Sequence, residues 1–147
     1  LELNTKIQSL YEKDNNLAYK NLQELEKISE TSNQLYPYLN EFISMLKSDK
    51  YVMRVRGFRL ACKQAQWDDE KQINLAINEI LAMVHDPKPT AIRQALLYLQ
   101  ELVYYKPELH PEIKDALSTI DFSQFKDTMA PLIKKDVQLL LQLIAAQ

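Results

Sequence analysis

Glycine is almost missing from this chain: Gly57 is the only one among 147 residues. Tight β-hairpin turns, P-loops and dinucleotide-binding turns all need glycines, for positive φ or for close approach of a phosphate to the backbone. A single mid-chain glycine excludes all three. Cysteine is equally scarce. Cys62 has no intramolecular disulfide partner, which fits a reducing compartment, and the expected location is cytoplasmic. No stretch approaches the roughly 18 consecutive apolar residues of a spanning helix, so no membrane role is expected. The opening residues lack the basic flank and apolar stretch of a signal peptide, and the chain does not begin with Met. Apolar residues nowhere alternate with a period of two over a useful length, so no strand is predicted.

What is present suits a folded domain. Apolar residues make up 46% and charged residues 26%, too apolar for a disordered chain and enough for one domain with its own core over residues 1–147. The formal net charge of −2 confines any nucleic-acid role to a local basic patch.

Apolar residues recur at steps of three and four, the period of a helix with one buried face. Leu3, Ile7, Leu10 and Tyr11 mark a short first helix, and Asp14 or Asn15 caps a second that carries Leu17 to Ile28. Tyr36-Pro37-Tyr38 opens a third. After the turn Lys47-Ser48-Asp49, a helix is predicted from about Tyr51 to Trp67. Tyr51, Val55, Phe58, Cys62 and Ala65 form one apolar face, and Met53, Leu60 and Trp67 form another. Two such faces require two neighbours. Asp68-Asp69-Glu70 places acid at the start of the next helix, which carries Ile73 to Val84. Further helices are predicted from Pro89 to about Tyr105, from Glu112 to Ile120, and from Thr128 or Pro131 to Ile144.

Within this series one stretch repeats. Asp49 is followed by Val55-Arg56, and at an offset of 37 residues Asp86 is followed by Ile92-Arg93. The same offset carries Leu60 onto Leu97 and Trp67 onto Tyr104. Asp127 with Ile133-Lys134 is a degenerate third copy, 41 residues further on. A period of this length signals stacked helical repeats. The turn aspartate and the arginine that follows resemble those of HEAT-type α-helical repeat proteins, whose repeats are antiparallel helix pairs, A then B. The chain also resembles small bacterial HEAT-like proteins in Leu35-Tyr36-Pro37-Tyr38, Arg54-Val55-Arg56-Gly57, Tyr105–Leu109 and Pro131–Asp136. Some of that group carry an iron–sulfur assembly label, for which one cysteine supplies no ligand cluster. The resemblance implies an all-α fold, an α-α superhelix: a short armadillo-like solenoid of three to four HEAT-like pairs, about seven helices in all. It also implies a structural ladder in which Arg56, Arg93 and Lys134 bond the turn aspartates Asp49, Asp86 and Asp127.

No motif for catalysis is visible. His85 and His110 stand far apart at helix boundaries, and neither Cys-x-x-Cys nor His-x-x-x-His spacing occurs, so no metal and no cofactor are expected. The angle of Cys62 places it with Val55 and Phe58, a core thiol. Gly57 is expected where two helices approach closely. One local anomaly is charge. Lys50, Arg54, Arg56, Arg59 and Lys63 occur without an acid before Trp67. Arg54, Arg59 and Lys63 have no basic counterparts at the repeat offset. With Trp67, and with Tyr105 as a surface aromatic, they form the candidate binding ridge. Trp67 and Tyr104 are expected to fill equivalent core positions.

The expected function is non-enzymatic: a scaffold or adaptor that receives a protein or peptide partner of acidic character along the ridge of its B helices. The alternative is binding of a DNA or RNA backbone, since the chain resembles helical-repeat alkylpurine DNA glycosylases in its stacked pairs and basic face. Homo-oligomerisation through the apolar last helix, around Leu139–Ile144, is a further possibility.

Overall fold

In the computed structural model the described residues are 2–147, and among them there are helices and turns but no strand. The described residues form nine α-helices: α1 (Glu2–Gln8), α2 (Asn15–Thr31), α3 (Leu39–Ser44), α4 (Tyr51–Lys63), α5 (Gln72–Leu75), α6 (Ile77–Leu81), α7 (Pro89–Tyr105), α8 (His110–Ser118) and α9 (Ala130–Ala145). Seven short 3₁₀ turns extend or join them.

Local chemistry sets the boundaries. Asp14 caps α2 by accepting from the backbone N–H groups of Asn16 (3.0 Å) and Leu17 (3.2 Å), which satisfies two of the donors that every helix start leaves open. Pro89, Pro111 and Pro131 all stand in first helical turns, where the missing N–H costs nothing. The helix expected from Tyr51 to Trp67 breaks at Gln64, and its last turn, Ala65–Trp67, is 3₁₀. The helix expected to carry Ile73 to Val84 is split. Lys71 takes a left-handed conformation (φ 56°) before α5, and at Ala76 (φ −99°, ψ 14°) the chain leaves helical geometry before α6. Such splitting helps to raise the number of helices above the seven or so expected.

Four long helices lie side by side in chain order: α4 packs between α2 and α7, and α7 packs between α4 and α9. The shorter helices pack against this row. α1 lies on α2, α3 lies on α4, the turn after α6 lies on α7, and α8 touches both α6 and α9. One continuous core joins them, in which Leu10, Phe42, Phe58, Leu60, Leu99 and Leu140 are at most 1% exposed. Each such side chain contributes about 1.5–3 kcal/mol through burial. Cys62 belongs to this core, as its angle predicts.

Gly57 lies at a close approach between helices. A Cβ built there would lie 2.6 Å from Met45 Cβ and closer still to the carbonyl oxygen of Phe42. Its absence lets α4 settle against α3 and the turn that follows. At the far end of the row, Leu132, Leu139 and Leu141 of α9 remain exposed. Among the described residues no helix is long and apolar enough to cross a membrane.

Candidate functional site between α2, α4 and α7

The basic residues of α4 do not form an open ridge. Arg54 turns to the 3₁₀-to-α7 junction, where its Nε and Nη2 donate to the two carboxylate oxygens of Asp86 at 2.7 and 3.0 Å. A third bond runs to the Ser48 carbonyl at 3.0 Å. This fork-on-fork pairing holds the Arg54 pKa above its ordinary value, chiefly through the hydrogen bond to Asp86.

Arg59 lies on a different side of the helix. Its Nε and Nη2 donate to Glu26 of α2 at 2.9 and 2.8 Å, and Nη1 donates to Gln94 of α7 at 3.1 Å. The rings of Tyr98 and Tyr19 flank the guanidinium, with centroids at 4.6 and 5.6 Å. Burial opposes the charge on Arg59, but the bonds and charge of Glu26 more than offset it, so its pKa is raised. One turn on, Lys63 Nζ sits 3.0 Å from Glu101 of α7 and 3.7 Å from Glu30 of α2. Successively later residues of α4 thus meet successively later residues of α2 and α7, so the three helices run in one direction.

The remaining ridge residues stand apart. The Trp67 indole N–H donates to the Ser29 carbonyl at 2.8 Å, pinning the end of α4 to α2. Tyr105 is 39% exposed at the end of α7, as expected of a surface aromatic. Tyr104 is not the core counterpart of Trp67. It is 67% exposed and meets Tyr105 edge to face at 4.6 Å.

The expected ladder pairs are also different. Asp86 is held by an arginine, but by Arg54 and not by a residue of the repeated Val-Arg or Ile-Arg pair. Arg93 reaches forward to Asp136 of α9, at 2.8 and 3.3 Å. Arg56 bonds no aspartate: Nη1 donates to the Leu10 carbonyl (2.7 Å) and Nη2 to the Asn15 side chain (3.0 Å). Asp49 is exposed, its charge acts on Arg54, and it lines a neighbouring groove together with Arg56. Asp127 lies in an exposed turn, and the Lys134 ammonium lies 5.6 Å from the Phe122 ring. The reason is angular. Arg54 and Arg56 are two residues apart, about 200° around a helix, so only one of them can face the following turn.

These contacts frame a groove of about 500 Å3 across the first halves of α2, α4 and α7. Tyr19 and Leu22 come from α2, Tyr51 and Val55 from α4, and Thr90 and Ala91 from α7. Arg56 and Arg59 supply its charge, and none of its lining side chains is acidic. The N-caps of α4 and α7 are Lys50 and Lys88, neither of which makes a side-chain cap bond. The backbone N–H of Lys50 donates instead to Ser48 Oγ at 3.2 Å and that of Lys88 to the Asp86 carboxylate at 3.0 Å. Glu26, Tyr19, Tyr51 and Tyr98 were not anticipated as site residues. A signal for Glu26 existed, because an acid four residues after Leu22 and next to Leu25 falls beside the apolar stripe of α2.

As for other chemistry, the described residues contain no group of three or more His, Cys, Asp or Glu side chains placed to hold a metal ion. His85 bonds Thr119 Oγ1 at 2.9 Å, and His110 Nε2 lies 2.8 Å from the Val103 carbonyl oxygen. Burial, with the charge of Glu101 second, pushes the Cys62 thiol well above its ordinary pKa, the reverse of an activated nucleophile. No protein-family model matches the chain, and neither a curated protein nor a solved structure matches it.

Proposed function

We propose that this chain is a non-enzymatic scaffold or adaptor, a short HEAT-like solenoid whose parallel long helices receive a protein or peptide partner. The observation that carries this reading is the groove between α2, α4 and α7. It has an apolar and aromatic lining, an excess of positive charge, and walls drawn from three consecutive long helices. Tyr19 and Tyr51 are 49% and 39% exposed, so each offers a ring to a partner, and tyrosine is enriched among interface anchors. An arrangement of repeated pairs presents such a surface along its whole row.

Binding of a nucleic-acid backbone has less support. Arg54, Arg59 and Lys63 are all matched by acids, and a polyanion laid along α4 would meet Glu26, Glu30 and Glu101.

The test is affinity capture from a source-cell lysate with four baits: wild type, Tyr19→Ala, Tyr51→Ala and Leu75→Ala. Leu75 is 88% exposed and lies outside the groove. A partner retained by wild type and Leu75→Ala, and lost from both tyrosine variants, is the expected result. Identical partner lists from all four baits would remove the groove from the argument.

A further inference from the structure

Four cationic side chains of this chain belong to residues less than a tenth exposed or to bidentate pairs with a buried acid, and three of them have carboxylate partners. Arg59 is matched by Glu26, Lys106 by Asp68 and Arg54 by Asp86. Arg56 is the exception. It is 6% exposed, and among the described residues no carboxylate lies within ion-pair distance of it. Its two printed oxygen acceptors, the Leu10 carbonyl and the Asn15 amide oxygen, are both neutral. A guanidinium carries five N–H donors in a fixed plane and keeps its proton at neutral pH. These oxygens engage two of the five, and the third contact, to Met53 Sδ at 3.5 Å, is weak. A buried charge left without a counter-ion is costly, and leaving one in place unpaired is unusual.

The same side chain lines two grooves, the one of about 500 Å3 already described and one of about 700 Å3 on the other flank of Asn15 and Val52. The first groove holds no acid. Beside it the exposed Lys88 ammonium stands 5.5 Å from the Tyr51 ring centroid. A single buried cation without a carboxylate partner, in a groove lined also by Tyr19, Tyr51 and Val55, is complementary to one carboxylate with apolar groups on either side.

We infer that Arg56 is the anchor for one carboxylate of a bound peptide segment, an aspartate or glutamate side chain set between apolar residues that lie on Tyr19, Tyr51 and Val55. This rests on the reading of the groove as a partner surface and deepens it by naming what the partner presents. A peptide fits better than a polyanion because the other cations of α4 that follow Lys50, namely Arg54, Arg59 and Lys63, are already paired with Asp86, Glu26, Glu30 and Glu101.

The experiment uses the full chain and a pool of blocked heptapeptides with either Glu or Gln at the centre and randomised apolar residues around it. Wild type is expected to retain Glu-centred peptides about tenfold over Gln-centred ones, the factor that a charge-assisted hydrogen bond supplies. Arg56→Gln is expected to lose that preference and Lys114→Gln, an exposed position on α8 outside the groove, to keep it. Equal retention of the two pools by wild type overturns the inference, as does a preference that survives in Arg56→Gln. Should Arg56→Gln fail to fold, the Arg56 Nε–H resonance of wild type decides. It is expected to move with a Glu-centred peptide and stay in place with its Gln counterpart, and an unmoved resonance overturns the proposal. Acetate and a thymidine oligonucleotide are the remaining arms. Arg56-dependent binding of the oligonucleotide in preference to the peptides, or of acetate as tightly as the peptides, would each overturn the peptide assignment. If no carboxylate preference emerges while capture still depends on Tyr19 and Tyr51, the adaptor reading stands and the Arg56 anchor alone falls.

Discussion

At the scale of single residues, Gly57 illustrates how packing overrides propensity. Alanine is worth about 1 kcal/mol more than glycine inside a helix. Here its methyl would press on Met45 Cβ and on the Phe42 carbonyl oxygen, which belongs to a backbone that cannot swing aside. Gly57→Ala is therefore expected to destabilise by about 1–3 kcal/mol in spite of its propensity, as a lower urea midpoint with unchanged slope. A stabilised variant would mean that α3 and α4 can separate at little cost. The need for a small residue here was legible, because a mid-helix glycine without a reason is unfavourable. The partner of each arginine was not. Sequence period fixes where Arg54, Arg56 and Arg93 lie along the chain, but the acid that each one meets depends on the angle between helices. Glu26 and Asp136 come from neighbours 33 and 43 residues away, and no spacing rule points to them. Tyr104 fails for a related reason: the offset that places Leu97 and Tyr104 opposite Leu60 and Trp67 turns both outward on α7, where Leu97 is 53% exposed.

At the scale of elements, the connection from α4 to α5 is held by one carboxylate. Asp68 is 3% exposed and accepts from the backbone N–H groups of Gln72 and Ile73, both at 2.9 Å. It also accepts from the Tyr36 hydroxyl at 2.5 Å and pairs with the buried Lys106 ammonium at 2.9 Å. Lys106 donates to the Asp68 carbonyl as well. Asp68 therefore starts α5 and fastens the turns before α3 and after α7 to one point. Replacing Asp68 with Ala would leave the buried Lys106 ammonium with only the more exposed Glu108 carboxylate, 3.9 Å away, and a loss of about 3 kcal/mol is expected. In Asp68→Ala/Lys106→Met both charges disappear together while the capping bonds are lost as in Asp68→Ala, and the double variant is expected to be more stable than Asp68→Ala. Equal stabilities, measured by urea unfolding, would show that the capping bonds and not the ion pair carry the cost. The run Asp68-Asp69-Glu70 was readable as acid at a helix start. That only Asp68 turns inward follows from Tyr36 and Lys106, which are brought to it by folding.

At the scale of the whole molecule, acids whose pKa rises on folding give stability a direction in pH. Burial, then the charge of Glu101, raises the Cys62 thiol. Burial, then the bond to Glu41, pushes Tyr11 up to about 12. Burial, then the charge of Glu26, raises Tyr98. All three have higher pKa values folded than unfolded. Their contribution is fully present below the unfolded values, about 8.5–9 for a thiol and about 10 for a phenol, and is lost as pH rises through the folded ones. The urea midpoint is therefore expected to hold between about pH 7 and 8 and then to fall, with Cys62→Ala moving the onset up to the tyrosine range near pH 10. A midpoint that stays level to pH 11 contradicts this account. The all-helical class and the helix order were legible from periodicity, proline positions and the missing glycines. The groove was not, since it exists only where three helices distant in sequence run side by side.

The tie between Trp67 and Ser29 has an optical consequence. Trp67 is the only tryptophan, and its indole bridges the end of α4 and the end of α2. Its emission therefore reports on one seam and not on the molecule at large. Parting α2 from α4 exposes that ring to water and shifts its emission to the red, while far-ultraviolet circular dichroism follows the helices everywhere. The chain thus carries its own probe of whether the wall of the groove opens before the rest unfolds, without a label or a substitution.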